Sequence, residues 1–181
     1  VKWVSEIDNG QGHAINKGFK AASGEIIGWL NSDDVYFYKN TISNVVKSIY
    51  AFPTFEIFHG DVAKIDENNK IILIWCIPNF NLERMCFDGK VSQPTVFFKK
   101  EIIKTNPLRE NIYALDFEYW IRLGHKYKFK HINSIIAGDR NQPFRISIIK
   151  RKELYESHHQ IVKEYFPKTH YLKKIYFHLS S

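Results

Sequence analysis

The stretch Gly-Glu-Ile-Ile-Gly-Trp-Leu-Asn-Ser-Asp-Asp, residues 24–34, constrains the fold of this chain more than any other. Its apolar run (Ile26, Ile27, Trp29, Leu30) has the length of a buried strand and ends in a polar turn with two adjacent carboxylates, Asp33 and Asp34. In open α/β sheets ligands bind outside the carboxyl ends of parallel strands, where such a pair would lie. Neighbouring carboxylates suit a hard divalent cation such as Mg²⁺ or Mn²⁺, held by one or two acids together with substrate phosphates. The same residues also suit a solvated turn in which Asp33 or Asp34 caps the next helix.

The surrounding pattern is αβ alternation. Residues 1–4 read as a strand, residues 5–12 as a loop dense in turn formers, and Ala14, Ile15, Phe19 and Ala22 recur at helical spacing before Gly24. A second helix is predicted over residues 39–52, with Ile42, Val45, Val46 and Ile49 on one face and Pro53 beyond its end. The style then changes. Residues 56–62 read as a strand, residues 64–72 as a hairpin turning at 67–69, and residues 81–87 as a short helix ended by Asp88-Gly89. Residues 91–98 read as a strand bent at Pro94, residues 116–124 as a helix opened by Asp116, and residues 128–137 as a strand.

At 181 residues with 44% hydrophobic and 15% aromatic content, one domain with a substantial core is the simplest organisation. A net charge of +7 favours an anionic partner. No helix-turn-helix, zinc-finger or stacking signature accompanies that charge, which argues against nucleic acid. The two cysteines, Cys76 and Cys86, form neither a disulfide framework nor a zinc spacing, so a reduced, cytoplasmic setting is expected. No apolar run approaches the roughly 18 residues that span a bilayer, and no signal-peptide pattern opens the chain. From about residue 146 the composition becomes a basic amphipathic tail, so the chain divides into 1–147 and 148–181. Lys150, Arg151, Lys152, Lys163, Lys168, Lys173 and Lys174 oppose Glu153, Glu156 and Glu164, with apolar residues on both sides of Pro167. Such a tail either lies on an anionic membrane surface, gaining roughly 1 kcal/mol per basic residue, or packs on the domain with a charged outer face.

Taken in order, Trp3-Val-Ser-Glu-Ile-Asp-Asn-Gly-Gln, Ala14-Ile-Asn-Lys-Gly, the segment ending at Asp33-Asp34, Gln93-Pro-Thr and Asp116-Phe-Glu-Tyr-Trp-Ile-Arg-Leu resemble family 2 glycosyltransferases of the GT-A fold. The resemblance extends over residues 1–147. It implies a Rossmann-type α/β domain with a mixed sheet, here lacking the first β-α-β segment and followed by the helical basic tail. It further implies a divalent metal (Mg²⁺ or Mn²⁺) at Asp33, with Asp34 beside it, bridging the diphosphate of a nucleoside-diphosphate sugar. Asp116 falls at the position of the base that deprotonates the acceptor hydroxyl, so that a hexosyl group is transferred with inversion.

Asp8, Gly10, Gln11, Asn16, Lys17, Asn31 and Arg140 match positions that line the donor site in relatives. A glycine-rich loop entering a helix can bind phosphate through backbone N–H groups, though a plain turn before a solvated helix face looks the same in sequence. Gln93 and Pro94 match an acceptor-side segment; read from the residues alone they are only a bent strand. The chain departs from the family pattern in three places: Leu115 stands where many relatives carry Glu, His13 where they carry Asp, and Gln142 where a His contacts the metal. The expected acceptor is a glycan or lipid-linked hydroxyl of cell-surface polysaccharide synthesis. The enzyme would be cytoplasmic, or peripheral on the inner membrane face. Relatives begin with a strand, helix and strand of roughly 60 residues that recognise base and ribose. With Val1 opening the chain inside a strand, upstream sequence is expected. The alternative is a catalytically incomplete fragment acting as a membrane-surface or interaction module.

Overall fold

The computed structural model describes residues 3–87, 90–142 and 145–167. Helix α1 (Gln11–Ala21) buries Gly12, Asn16 and Phe19 along one stripe. It feeds strand β1 (Ile26–Gly28), and a turn leads to strand β2 (Val35–Tyr36). Helix α2 (Thr41–Ala51) buries Thr41, Val45 and Ile49, each one turn after the last, and stops before Pro53. Val45 and Ile49 are buried as expected, whereas Ile42 is exposed and Thr41 takes its place on the stripe. Strands β3 (Ile57–Ile65) and β4 (Ile71–Trp75) form the predicted hairpin, in which Asn69 takes the left-handed conformation that its turn requires (φ 64°). Next come helix α3 (Leu82–Met85), a 3₁₀ turn (Gln93–Thr95), strand β5 (Phe97–Lys99), helix α4 (Glu101–Thr105), helix α5 (Leu115–Gly124) and strand β6 (Phe129–Arg140). Helices α6 (Ile146–Ile149) and α7 (Arg151–Tyr165) follow.

The strands form one mixed sheet in the order β1-β5-β3-β6-β2, with β4 on the far part of β3. β3 and β6 are parallel and β1 runs with them, because both β1 and β3 are antiparallel to β5. The carboxyl ends of β1, β3 and β6 therefore point the same way, and the β2–β6 pairing, with Val35 opposite Gly138, sets the turn after β1 beside the end of β6. Alternation along the strands splits the core between the two faces. Ile57 and Phe98 join α1, α5 and α7, whereas Phe58, Phe97 and Ile136 join Val45 and Ile49 of α2. Gly60 sits where β3 and β6 shift register; a Cβ there would lie 2.5 Å from Ile136 Cγ1 and within 3 Å of the Ser134 and Ile132 carbonyls. The strand pair closes only around a residue without a side chain.

Three expectations change. Trp3 and Val4 are irregular and exposed, with no neighbouring strand among the described residues to supply ladder bonds; Val1 and Lys2 lie outside those residues. Pro94 sits in the 3₁₀ turn and the strand starts only at Phe97, because proline has no N–H to give a ladder. The segment before Asp33 is a ladder only at Ile26–Gly28, after which the chain turns away. The basic tail, as far as it is described, packs on the domain: Ile161 and Val162 enter the same core as Trp120 and Leu123 of α5. Asp88-Gly89 and everything beyond Pro167 lie outside the described residues.

Candidate active site

Beyond Gly28 the chain closes a turn in which the Asp34 N–H donates to the Asn31 carbonyl at 3.2 Å. Neither acid caps a helix, since α2 begins at Thr41 after Asn40. Asp34 is buried and fastened across the sheet. Its Oδ1 accepts the Arg140 backbone N–H at 3.1 Å, and its Oδ2 accepts the Asn31 amide at 3.3 Å. Burial, then the charges of Asp139 and Asp33, push the Asp34 carboxyl up to about 6, against the opposing pull of the Arg140 N–H and the Arg145 cation. The Asp33 carboxylate is half-buried and accepts no hydrogen bond from the described residues.

The sheet edge brings β6 to the same place. Asp139, 5% exposed, bridges Lys64 of β3 and Arg145, whose Nη2 lies 2.8 Å from Asp139 Oδ1 but out of line for a hydrogen bond. Asp116, in the first turn of α5, accepts the Phe117 N–H at 2.9 Å. Burial holds its carboxyl above the usual range; the Phe117 N–H and His158 oppose this, and the charge of Asp139 adds to it. The N-terminus of α5 is itself held by α7, where the Ala114 N–H donates to Ser157 Oγ at 3.2 Å and His158 stacks on Phe117. Asp139, Lys64 and the supporting face of α7 were not apparent from the sequence. Their signal is a tertiary juxtaposition, with residues 75 apart in the Lys64–Asp139 pair.

Several predicted donor residues have structural partners. Lys17 Nζ lies 2.6 Å from both Glu6 and Asp8 and 3.2 Å from the Ile7 carbonyl, so it pins the N-terminal loop to α1. His13 joins that cluster, accepting the Asn9 N–H through Nδ1. Asn16 is buried, bonding the Leu108 backbone through both its N–H and its carbonyl and reaching Glu110 Oε1 at 2.8 Å. Gly10 precedes α1 at φ 112°, a conformation that favours glycine. The Arg140 guanidinium is spent on the Asp33 carbonyl (2.9 Å), the Asp66 carbonyl (2.5 Å) and Asn69 Oδ1 (2.8 Å). It braces the acidic turn against the β3–β4 hairpin. Gln93 and Pro94 are both buried, and the Gln93 amide bonds Asn31 Nδ2 (2.9 Å) and the Trp29 carbonyl. Gln142 is half-buried, and its carbonyl accepts the Arg145 N–H at 3.4 Å.

Asp33, Asp34, Asn31, Asp139, Arg145 and Asp116 thus gather at one end of the sheet, while Asp8, Asn16 and Lys17 belong to the α1 side. A groove of about 520 Å³ runs between α1 and β1, lined by Gln11, Ile15, Phe19, Ile26 and Trp29, and reaches Asn31. No set of three acidic, His or Cys ligands is assembled for a metal among the described residues. An unpartnered Asp33 beside the crowded carboxylates of Asp34 and Asp139 nevertheless fits a divalent cation whose remaining ligands are substrate and water oxygens.

A family model described as glycosyl transferase family 2 matches residues 3–138. Among solved structures, the chain is similar to Staphylococcus aureus TarS 1–349 in complex with UDP-GlcNAc, with TM-score 0.62, 15% identity and coverage of 89% of this chain and 48% of that one. It is also similar to the mannosyltransferase PcManGT from Pyrobaculum calidifontis in complex with GDP-Man and Mn²⁺ (TM-score 0.54, 18% identity, 84% and 43% covered). A third similar structure is glucosyl-3-phosphoglycerate synthase from Mycobacterium tuberculosis in complex with Mn²⁺, UDP-glucose and phosphoglyceric acid (TM-score 0.53, 14% identity, 87% and 54% covered). At these identities the likeness establishes the GT-A fold, and the chain spans about half the length of each structure. No curated protein sequence matches the chain.

Proposed function

Because the chain belongs to glycosyl transferase family 2, we propose that its sheet-edge carboxylates serve metal-dependent transfer of a hexosyl group from a nucleoside-diphosphate sugar to a glycan or lipid-linked hydroxyl, with inversion. The observation that carries this is the juxtaposition of the Asn31–Asp34 turn with the end of β6, clamped by the Arg140 N–H to Asp34 Oδ1. Asp33 and Asp34 would hold Mn²⁺ or Mg²⁺, which when bound neutralises charge on a departing diphosphate. Asn31, fixed by Trp29 Nε1 and Gln93, holds the turn rigid and presents it at the mouth of the groove. Asp116 takes the acceptor proton; burial makes its carboxylate a stronger base than an exposed Asp, and the Phe117 N–H keeps one oxygen fixed. Buried Gln93-Pro94 shapes the acceptor side from beneath, through the Trp29 carbonyl.

The test is release of UDP or GDP from UDP-GlcNAc, UDP-glucose and GDP-mannose in the presence of Mn²⁺. Asp116→Asn should lower turnover by roughly 100-fold or more, and Asp33→Ala should abolish the Mn²⁺ dependence. Turnover unaffected by chelation and by Asp33→Ala would end this assignment. A second reading, attachment to an anionic membrane surface, is favoured by exposed Ile148, Ile149 and Tyr155 beside Lys150, Arg151 and Lys152. Sedimentation with phosphatidylglycerol vesicles, unchanged on replacing Ile148 and Ile149 by Ser, would exclude it.

A further inference from the structure

We infer that Arg145, anchored by Asp139, is the side chain of this chain that receives the diphosphate of the donor. The inference rests on the glycosyl-transfer assignment and identifies which cation serves it. Three cations border the acidic turn, and their partners differ. Arg140 spends Nε, Nη1 and Nη2 on the Asp33 carbonyl, the Asp66 carbonyl and Asn69 Oδ1. Each of its three nitrogens already donates to the frame, which leaves one N–H on each Nη. Lys64 is closed in by its pairing with Asp139 and by the Trp75 ring 4.6 Å from its Nζ, and its side chain is only 16% exposed. Arg145 differs from both: one ion pair with Asp139 is its only side-chain partner among the described residues, and its side chain is 29% exposed.

A guanidinium carries five N–H donors in a fixed fork that matches carboxylate or phosphate oxygens two at a time. Arg145 therefore keeps most of its donors for a ligand while Asp139 holds it at the sheet edge. Asp139, 2.8 Å from Arg145 Nη2, precedes Arg140, whose backbone N–H holds Asp34 Oδ1 at 3.1 Å, so the guanidinium stands beside the acidic turn. A diphosphate bound to a cation at Asp33 and Asp34 would thus find a second positive group nearby, supplied by the chain itself. Charge-assisted bonds of this kind discriminate strongly, because the anion must give up water to reach them.

The experiment is calorimetric titration of the wild type and Arg145→Gln with Mn²⁺ alone, with pyrophosphate alone, and with pyrophosphate in saturating Mn²⁺; circular dichroism verifies folding. Arg145→Gln should weaken pyrophosphate binding by roughly 10- to 100-fold, leave Mn²⁺ binding unchanged or tighter, and flatten the salt dependence of the pyrophosphate step. Arg145→Lys, which keeps the charge without the fork, should fall between the two. Pyrophosphate affinity within twofold of wild type in Arg145→Gln, alongside intact Mn²⁺ binding, overturns this inference alone. Wild-type protein that binds neither Mn²⁺ nor pyrophosphate overturns the glycosyl-transfer assignment as well.

Discussion

His59 offers a quantitative test of how the sheet is built. It is the third residue of β3, fully buried, with neither ring nitrogen hydrogen-bonded among the described residues. Its neighbours are His131, its register partner on β6, and Phe129, with ring centroids 5.2 and 6.3 Å away. His131 itself meets Asp61 at 3.1 Å, and that carboxylate is also bonded to the Ile77 N–H. Burial, helped by the charge of His131, therefore lowers the His59 imidazole from 6.5 to about 3. The unfolded chain takes up a proton on this residue near pH 6.5, whereas the folded one resists until about 3. Its stability contribution is intact above the unfolded value and is lost as pH falls below it. Linkage between those two values gives a loss of about 2–3 kcal/mol by about pH 4.5. His59→Leu removes the titrating group and replaces two unpaired nitrogens with apolar surface, a change that is neutral or stabilising at neutral pH. Urea denaturation of both proteins at several pH values should show the variant gaining about 2–3 kcal/mol over wild type between about pH 7.5 and 4.5. A stability difference that stays flat over that range would refute the account and mean that His59 is protonated without cost in the fold.

Two further outcomes follow from buried carboxylates. Glu118, fully buried on α5, accepts Arg122 Nε (2.8 Å) and the Tyr165 hydroxyl (2.6 Å). Glu118→Ala strands both partners and should cost about 3–5 kcal/mol, with faster amide exchange along α7 as the local readout. Asp34 has the opposite pH sign to His59. Its raised carboxyl contributes stability that is full below its ordinary value of 3.8 and lost as pH rises through about 6. The move from 3.8 to about 6 corresponds to about 3 kcal/mol at most, and nearer 1–2 once solvent screening is allowed for. Asp34→Asn should therefore gain stability relative to wild type above about pH 6 and show no gain near pH 4, as measured by urea denaturation in chelator.

Local features of the fold were legible. Val45 and Ile49 of α2, the β3–β4 hairpin with its polar turn, and the helix opened by Asp116 all depend on periodicity and turn chemistry within a short window, whereas α1 buries Asn16 beside Phe19 because Asn16 bonds the Leu108 backbone. What failed depended on neighbours. Trp3 and Val4 have strand-like residue types but no ladder beside them, and Pro94 was placed in a strand although its missing N–H suits a 3₁₀ turn. The amphipathic stretch near the end could equally face lipid or protein; only its contacts reveal that Ile161, Val162 and Ser157 serve α5.

The site divides in the same way. The acidic turn stood out only in the company of the other motifs, because two carboxylates in a turn suit a helix cap as readily as a cation. The division of labour among the cations did not stand out, because Arg140 and Arg145 have the same chemistry in sequence and differ only in what surrounds them. Arg140 lies within reach of two carbonyls and an amide oxygen, all acceptors from tightly turned backbone, and so becomes part of the frame. Arg145 meets a single carboxylate, and that carboxylate is shared with Lys64. Sharing matters energetically: Asp139 pairs with both Lys64 and Arg145, so it holds the arginine through one nitrogen and leaves the others unspent on the described residues. A buried acid that lies beside other acids is costly by itself. Here that cost is offset by the two cations, one closed in by Asp139 and Trp75 and the other left with donors to offer.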